Sequence, residues 1–466
     1  MGYDLAVIGA GPAGYVAAIR AAQLGLKAAV VERESVGGEC LNWGCIPSKA
    51  IIGVAEAVHR AGWLKEVGVE FGRPRVDMAR LIGWKDSVVR RLVSGIESLF
   101  RGHGIELVRG EGRVVSRGTV KVQTGSGTQT LEARSVLIAT GSAPVELPQI
   151  PFDGERVLSF RHVFSLRELP QRLLVVGGGA VGLEMATAFR KLGSEVTVVE
   201  LMDRVLPAMD RSLSAAVQRR LSELGVRVML SSTVVGHEKL NGSVRVKVKG
   251  PAGEEVVEAD RVLVSVGKKG TGAPVAEGLG VKVDPRGFVV VDEECRTGAG
   301  WIWAAGDATG PPFLAHRAYR QGTIAAESVA GRVTTWRPRH YPVTVFTDPE
   351  VASVGMTEDE ATSSGRRFRS VTFPHAALGR AIAHGDPIGF VKVMVEEESA
   401  EVLGVHVAGP HSSELVSELS VAMENYMTLE DLLRGVHPHP TFSEAIAEAF
   451  EAALGRPLHV LRAHRM

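Results

Sequence analysis

Two stretches of the chain show the same order of apolar and polar residues. Each begins with a short apolar run, passes through a glycine-rich turn into a segment with helical spacing, and ends in a second apolar run. The first stretch extends from Leu5 to Glu32 and the second from Leu173 to Glu200. The pattern predicts a strand, a turn, a helix and a strand in each, which is a unit of a parallel sheet.

The two stretches correspond residue by residue at a spacing of 168 positions. The matching pairs are Gly9 with Gly177, Gly11 with Gly179, Gly14 with Gly182, and Glu32 with Glu200. In such a turn the first glycine permits the bend, the second leaves room for a pyrophosphate, and the third lets the helix pack on the strand. The acid accepts hydrogen bonds from a ribose hydroxyl. A single copy is also typical of an ordinary glycine-rich turn, but two copies predict two dinucleotide sites.

The rest of the chain continues this pattern and then departs from it. Residues 134–141, 260–267 and 301–307 each predict a strand ending at a glycine turn or an acid, and polar residues 242–259 predict a surface hairpin. From about Arg337, strand-like segments precede helical segments at 412–426 and 441–454, which predicts an α+β domain. The predicted fold class is therefore α/β, with two Rossmann-like dinucleotide-binding domains and a C-terminal α+β domain.

Composition excludes several classes of function. Lysine plus arginine and aspartate plus glutamate both total 53, and no basic block occurs, which argues against nucleic acid as the main partner. No uninterrupted apolar run reaches the roughly 18 residues of a membrane span, so no membrane association is predicted. Three cysteines in 466 residues are too few for a secreted disulfide scaffold, so we expect a cytoplasmic protein.

Two of the cysteines lie in a motif with chemical meaning. Residues 37–49 read GGECLNWGCIPSK, and Pro47 opens a helical pattern, which places Cys45 at or just before a helix N-terminus. The helix dipole there stabilises a thiolate. Cys40 and Cys45 could also be small buried residues that pack a helix start, or zinc ligands. C-x₄-C without a companion pair lacks the usual zinc spacing, so no metal site is predicted. Cys295, in a strand-like context, is expected to be buried.

Motifs along the whole chain resemble one family. In order they are GAGPAG, GGECLNWGCIPSK, ATGSAP, GGGAVGLE, WIWAAGD, LAHRAYRQG, TDPEVASVGMTEDEA and HPHPTFSEA. With these the chain resembles the two-cysteine pyridine nucleotide–disulfide oxidoreductases, and among them most closely the dihydrolipoamide dehydrogenases. The resemblance implies non-covalent FAD, NAD and a homodimer. It also implies a FAD-binding domain over 1–148, an NAD-binding domain over 149–267, a central domain completing the FAD site over 268–337, and an interface (dimerisation) domain over 338–466.

The resemblance also implies roles for particular residues. The residues implied for FAD are Gly9, Gly11, Gly14, Glu32, Gly112, Thr140, Gly141, Asp307 and Ala315, the last with His316 at a helix start. Those implied for NAD are Gly177, Gly179, Gly182, Glu200 and Gly267. Cys45 would face the flavin, Cys40 would exchange with substrate, and Lys49 would pair with Glu184 between flavin and nicotinamide. Judged by residue type alone, Lys49 and Glu184 could equally well be ordinary charged residues on helix faces.

A base for the substrate dithiol is expected near the C-terminus. An imidazole suits proton transfer near neutral pH. Of the two histidines in HPHP, the resemblance selects His439, with Glu444 orienting it, and leaves His437 as a positional residue. Thr441-x-x-Glu444 is also a capping box for the last helix, and both roles are compatible.

The implied reaction is oxidation of protein-bound dihydrolipoamide through the Cys40–Cys45 disulfide and FAD to NAD⁺. The implied partner is a lipoyl-bearing acyltransferase of a 2-oxoacid dehydrogenase complex or a glycine-cleavage carrier protein. Two alternatives are an NADH-dependent reductase of another small disulfide and a non-catalytic flavin-binding docking subunit. Three departures from the family pattern bear on the substrate: Trp43 between the cysteines, Gly270-Thr271 in place of Pro-Asn, and Ala180 where others have an aromatic gate.

Overall fold

The computed structural model describes residues 2–72, 74–335 and 337–461. In the first 144 residues the strands are β1 (Tyr3–Ile8), β2 (Ala28–Glu32), β3 (Glu106–Arg109), β4 (Glu111–Ser116), β5 (Thr119–Thr124), β6 (Gly127–Ile138) and β7 (Ser142–Pro144). The helices of this part are α1 (Pro12–Gln23), α2 (Gly38–Asn42), α3 (Cys45–Trp63) and α4 (Met78–Gly102).

The middle of the chain holds a second set of strands. These are β8 (Val157–Leu158), β9 (Arg172–Val176), β10 (Glu195–Val199), β11 (Arg227–Met229), β12 (Thr233–Lys239), β13 (Val244–Gly250), β14 (Gly253–Ala259), β15 (Arg261–Val264) and β16 (Lys268–Gly270). The helices between them are α5 (Phe160–Val163), α6 (Ala180–Leu192) and α7 (Arg211–Glu223).

The last part contains the remaining elements. Its strands are β17 (Ile302–Ala304), β18 (Val343–Val345), β19 (Val351–Gly355), β20 (Phe368–Pro374), β21 (Phe390–Glu396) and β22 (Val402–Ala408). Its helices are α8 (Ala315–Val329), α9 (Glu358–Ser363), α10 (Gly379–His384), α11 (Ser412–Glu424), α12 (Leu429–Leu433) and α13 (Glu444–Ala453).

The predicted repeat forms two similar units. In the first, β1 lies parallel between β2 and the C-terminal half of β6, and β17 joins the other side of β6. In the second, β8, β15, β9, β10 and β11 form a parallel sheet. Helix α1 begins at residue 12 and α6 at residue 180, so the spacing of 168 is kept in three dimensions. The predicted α/β class with two Rossmann-like units is confirmed.

The predicted hairpin and C-terminal part also form, with additions. Strands β13 and β14 pair antiparallel, but β12 extends them to a three-stranded sheet, and one face is buried rather than exposed. Strands β18 to β22 form an antiparallel sheet in the order β18-β19-β22-β21-β20, packed by α11 and α13. This confirms the α+β C-terminal part. The proposed domain boundaries remain predictions.

Close helix packing brings the third part of the chain to the first glycine turn. Helix α1 buries Ala13, Ala17, Ala18 and Ala21, and α8 lies against it. A Cβ at Gly322 of α8 would lie 2.4 Å from the Ala13 carbonyl oxygen. Only small residues allow this approach, and the approach places the N-terminus of α8 beside the first turn.

No helix in the described part of the chain combines the length and hydropathy that a membrane span requires. Cys295 is buried as predicted, but the strand-like context was wrong. The residue lies in a turn with φ +61°. Burial raises the pKa of its thiol to about 12.

Candidate active site

A cavity of about 790 Å³ opens beside the first glycine turn. This is within the usual range of about 300–1,000 Å³ for cofactor and ligand sites. The predicted site residues that line it are Gly9, Gly11, Glu32, Cys40, Cys45, Gly112, Thr140, Gly141, Asp307 and Ala315. One cavity therefore joins the predicted FAD residues to both cysteines of the motif.

The first glycine turn has the geometry that its sequence predicts. Gly9 adopts φ +103°, and a Cβ at Gly14 would lie 1.9 Å from the Gly9 carbonyl oxygen. Glu32 turns its carboxylate toward the turn, where Oε2 accepts the N–H of Ala10 at 2.7 Å and Oε1 that of Glu34 at 2.7 Å. Oε1 also accepts the N–H of Ser35 at 3.2 Å, so it is Oε2 that keeps a further lone pair for a ribose hydroxyl.

The other lining groups fit a bound FAD. The hydroxyl of Thr140 is buried and has no hydrogen-bond partner within the described chain, which leaves a polar group for a ligand to satisfy. The helix α8 begins at Ala315 on the cavity wall, so its free N–H groups and dipole can meet negative charge. His316, the next residue, points elsewhere, with Nε2 3.0 Å from the Pro342 carbonyl oxygen.

The second glycine turn repeats the first. Gly177 has φ +109°, and a Cβ at Gly182 would lie 2.1 Å from the Gly177 oxygen, whereas Gly179 has open space. Glu200 accepts the N–H of Gly178 at 2.5 Å and that of Met202 at 2.7 Å. The turn thus fits a second dinucleotide. Gly267, at φ +121° after β15, lies outside the large cavity.

Cys40 lies on α2 and Cys45 is the first residue of α3, as the position of Pro47 predicts. The Cys40 thiol donates a hydrogen bond to the Cys45 sulfur, which lowers the pKa of Cys45 to about 7, with a further lowering by Lys49. The same bond raises the pKa of Cys40. In the reduced pair, Cys45 is therefore the more acidic thiol and the one that forms the thiolate.

Lys49 and Glu184 meet across two helices. The Lys49 ammonium lies 2.9 Å from both carboxylate oxygens of Glu184, which is buried. Glu184 Oε1 also accepts the N–H of Phe346 at 3.1 Å, and the Lys49 nitrogen lies 4.3 Å from the centre of the Phe346 ring. Phe346 thus contacts both members of the pair. Neither residue lines the large cavity, although Lys49 lies one helical turn after Cys45.

His439 forms the predicted pair with Glu444 but stands apart from the cysteines. Its Nδ1–H donates to Glu444 Oε1 at 2.7 Å, and 77% of its side chain is exposed. It does not line the cavity within the described chain. The capping box was half wrong: Glu444 Oε2 accepts the Thr441 N–H at 2.7 Å, but the Thr441 hydroxyl donates to the Pro438 carbonyl instead. The helix N-cap is Ser443.

Sequence reasoning did not identify an ion cluster beside Cys40. The Lys268 ammonium pairs with Glu39 and lies 3.0 Å from Asp307 Oδ2, to which the Ser142 hydroxyl also donates at 2.9 Å. Although burial opposes the shift, Asp307 and Glu39 raise the pKa of Lys268. Burial raises the pKa of Glu39. Glu39 adjoins Cys40 in sequence, but only folding brings residue 268 to it.

Two departures from the family pattern have a structural reason. The Trp43 ring lies under the Arg161 guanidinium at 4.2 Å, and both line the cavity, so this pair forms part of its wall. At Gly270, a Cβ would lie 2.1 Å from the Gly287 backbone, so the chain requires glycine there. The third departure, Ala180, is the first residue of α6.

Comparison with known proteins agrees with this arrangement. Residues 3–322 match the pyridine nucleotide-disulphide oxidoreductase family, and residues 341–450 match the dimerisation domain of the same family. The dihydrolipoyl dehydrogenase of Geobacillus stearothermophilus is 40% identical over 98% of this chain and 97% of its own. That of Thermus scotoductus is 42% identical over 98% of this chain and 99% of its own.

Solved structures give the same result. LpdA from Mycobacterium tuberculosis superposes with a TM-score of 0.89 at 30% identity, covering 96% of this chain and 99% of its own. The flavoprotein disulfide reductase RclA from Escherichia coli superposes with a TM-score of 0.85 at 27% identity, covering 96% of this chain and 99% of its own. The chain belongs to the pyridine nucleotide-disulphide oxidoreductase family. Membership implies FAD and NAD(H) as cofactors and a dimer as the assembly.

Proposed function

We propose that this chain oxidises protein-bound dihydrolipoamide to lipoamide and passes the electrons to NAD⁺, the activity that its relatives' name describes. The observation that carries the proposal is the Cys40–Cys45 pair, which opens onto the dinucleotide cavity with Cys45 as the thiolate. A docking subunit needs neither a thiolate at a helix N-terminus nor a cation beside it.

The cysteines carry out the exchange with substrate. One substrate thiolate attacks the Cys40 sulfur of the disulfide, and Cys45 leaves as a thiolate stabilised by its helix N-terminus and by Lys49. The second substrate thiol then displaces Cys40 and closes the substrate disulfide. FAD, when bound, carries the two electrons from the thiol pair to NAD⁺.

Proton transfer is assigned to His439. It accepts the proton of the attacking substrate thiol and passes it to solvent, then accepts the proton of the second substrate thiol and donates it to Cys40 as that sulfur is displaced. The Glu444 carboxylate at 2.7 Å holds the ring and stabilises the imidazolium. Because His439 is exposed and away from the cavity of its own chain, we assign it to the cavity of the second chain in a homodimer.

The predicted domains and partners complete the proposal. The FAD-binding domain covers residues 1–148, the NAD-binding domain 149–267, the central domain 268–337 and the interface domain 338–466. The substrate is a lipoyl arm on an acyltransferase or a glycine-cleavage carrier, in the cytoplasm.

The test is the purified holoenzyme with dihydrolipoamide and NAD⁺, followed as NADH formation. We expect a kcat in the range that is usual for enzymes, about 1–1,000 s⁻¹. A second candidate, reduction of another small disulfide by NADH, is favoured by Trp43, which departs from the family pattern and forms part of the cavity wall with Arg161. Faster NADH-dependent reduction of a different disulfide than of lipoamide would favour that candidate and contradict the first.

A further inference from the structure

Two ion pairs join helices α3 and α6 at matching positions. Lys49 pairs with Glu184, and Glu56 pairs with Lys191, so both pairs join residues 135 positions apart. Within each helix the paired residues are seven apart, which is two turns. The helices therefore run in the same direction, side by side, with an ion pair at each end of their contact.

The second pair is as close as the first. The Lys191 ammonium lies 2.6 Å from both oxygens of Glu56. The Lys191 side chain is 2% exposed, so its charge is almost fully removed from water. A charge this buried is retained in a fold only when its partners are held in place. Glu56 lies eleven residues after Cys45 on α3, about 16 Å along the helix, and the proposed chemistry does not use the Glu56–Lys191 pair.

One segment of the C-terminal part contacts both pairs. The Phe346 N–H and ring meet Glu184 and Lys49, and Asp348 Oδ2 lies 2.7 Å from the Lys191 nitrogen. Asp348 is fixed by Arg220, whose Nε lies 3.1 Å from Oδ1. Although burial opposes the shift, Lys191 and Arg220 lower the pKa of Asp348, so the carboxylate is charged at neutral pH. Residues 346–348 thus form a strap across both ion pairs.

We propose that Lys191 is a positioning residue: held by Glu56 and Asp348, it fixes the register of α6 on α3 in which Glu184 meets Lys49. The proposal rests on the proposed function, because it assigns Lys191 a part in electron transfer between the nicotinamide site and the cysteines.

The arrangement of charge favours this register over those shifted by two turns. The cation lies on α3 in the first pair and on α6 in the second. Sliding one helix by two turns would place Glu184 beside Glu56, or Lys191 beside Lys49, and like charges would meet. A slip of a single residue turns a side chain by about 100° and removes both pairs. Misplacement of about 1 Å at a reacting group can cost up to about a hundredfold in rate.

The test compares Lys191→Met with Lys191→Arg, which keeps the charge. NADH is mixed with the oxidised holoenzyme without oxygen, and the rate at which the two cysteine thiols appear is measured. We expect Lys191→Met to slow thiol appearance about tenfold, with little change in the NADH concentration that gives the half-maximal rate. Lys191→Arg should keep a rate close to that of the wild type. Lys239→Met, which removes an exposed pair with Asp153, is the control and should have no effect.

A double-mutant cycle separates positioning from stability. In a Glu184→Gln background, Lys191→Met should slow thiol appearance no further, although it still lowers the melting temperature. Crystals of Lys191→Met should show the Lys49 nitrogen beyond 4 Å from Glu184, against 2.9 Å here. If Lys191→Met does not fold, Glu56→Gln at the half-exposed end replaces it, with the same expectations.

An unchanged rate, additive effects with Glu184→Gln, or an unchanged Lys49–Glu184 distance would overturn the positioning role. Failure of the wild type with dihydrolipoamide would instead overturn the proposed function. The NADH half-reaction and the crystal distance do not depend on the identity of the substrate, so they decide the inference in either case.

Discussion

Glu444 divides its carboxylate between two partners, with one oxygen on His439 and the other on the Thr441 N–H. Replacing Glu444 by Gln keeps an acceptor but removes the charge that stabilises the imidazolium. We expect dihydrolipoamide oxidation to fall by at least about tenfold. The matched control on the same helix is Glu448→Gln, because Glu448 makes a similar 2.7 Å pair with the exposed His459 and should leave the rate unchanged. Equal losses in both variants would refute the role of Glu444.

The depressed pKa of Cys45 gives a pH dependence with a defined sign. A thiol with a pKa of about 7 is mainly thiolate above that pH and loses its reactivity as the pH falls below it. In the reduced protein, alkylation of Cys45 by iodoacetamide should have its midpoint near this value. Replacing Cys40 by Ala removes the hydrogen bond that is the main cause, so the midpoint should rise. Cys295→Ser should leave the profile unchanged, because Cys295 is buried. A midpoint unmoved in the Cys40 variant contradicts the assignment.

Glu200 bears on the choice of coenzyme. Its carboxylate is fixed to the second turn, and a 2′-phosphate on the bound ribose would meet its negative charge. The nearby Arg204 contacts Asp359 at 3.3 Å and the Pro207 carbonyl at 3.0 Å, so its charge is already engaged. We expect kcat/KM for NAD⁺ to exceed that for NADP⁺ by about a hundredfold, and Glu200→Gln to narrow the ratio. A wild-type preference for NADP⁺ is the contrary result.

At the scale of elements, the glycine turns depend on contact between helix and strand. A methyl group at Gly14 would overlap the Gly9 carbonyl, so Gly14→Ala must push α1 away from β1. We expect this variant to lose bound FAD, measured as the flavin-to-protein absorbance ratio after gel filtration. Gly53→Ala in α3 is the control, because its added methyl group meets no atom within 4 Å apart from the backbone of its own helix and its chain neighbours. It should keep FAD and gain about 0.5–1 kcal/mol in stability. Retention of FAD by Gly14→Ala would contradict the packing argument.

Elements were predicted well where the sequence carries a long local pattern. The repeat strands form, as do α1, α6 and the hairpin predicted over residues 242–259, because alternation and glycine positions act over neighbouring residues. Prediction was less successful where a single tertiary contact decides the outcome. The Thr441 hydroxyl donates to a carbonyl instead of capping the last helix, and Cys295 adopts a left-handed backbone conformation instead of an extended one.

At the scale of the whole molecule, the separation of His439 from the cysteines leads to a test of the shared site. Subunits with Cys45→Ala are co-expressed with subunits carrying His439→Ala, each inactive alone. A mixed dimer has one site with both changes and one with neither. Random pairing makes half of the dimers mixed, so about a quarter of wild-type activity should return. An inactive mixture in which mixed dimers are demonstrated would place both residues in one chain.

The sequence by itself determined the two glycine turns, the acids that follow them, the cysteine pair at a helix start and the class of chemistry. These features are local, because a turn, a helix N-terminus and a spacing of five residues are set by neighbours along the chain. The tertiary structure alone decided which distant charges meet. Lys268 reaches Glu39, and Lys191 reaches both Glu56 and Asp348, only when three parts of the chain fold together. Such contacts leave no periodicity in the sequence, because their partners are brought together by packing and not by spacing.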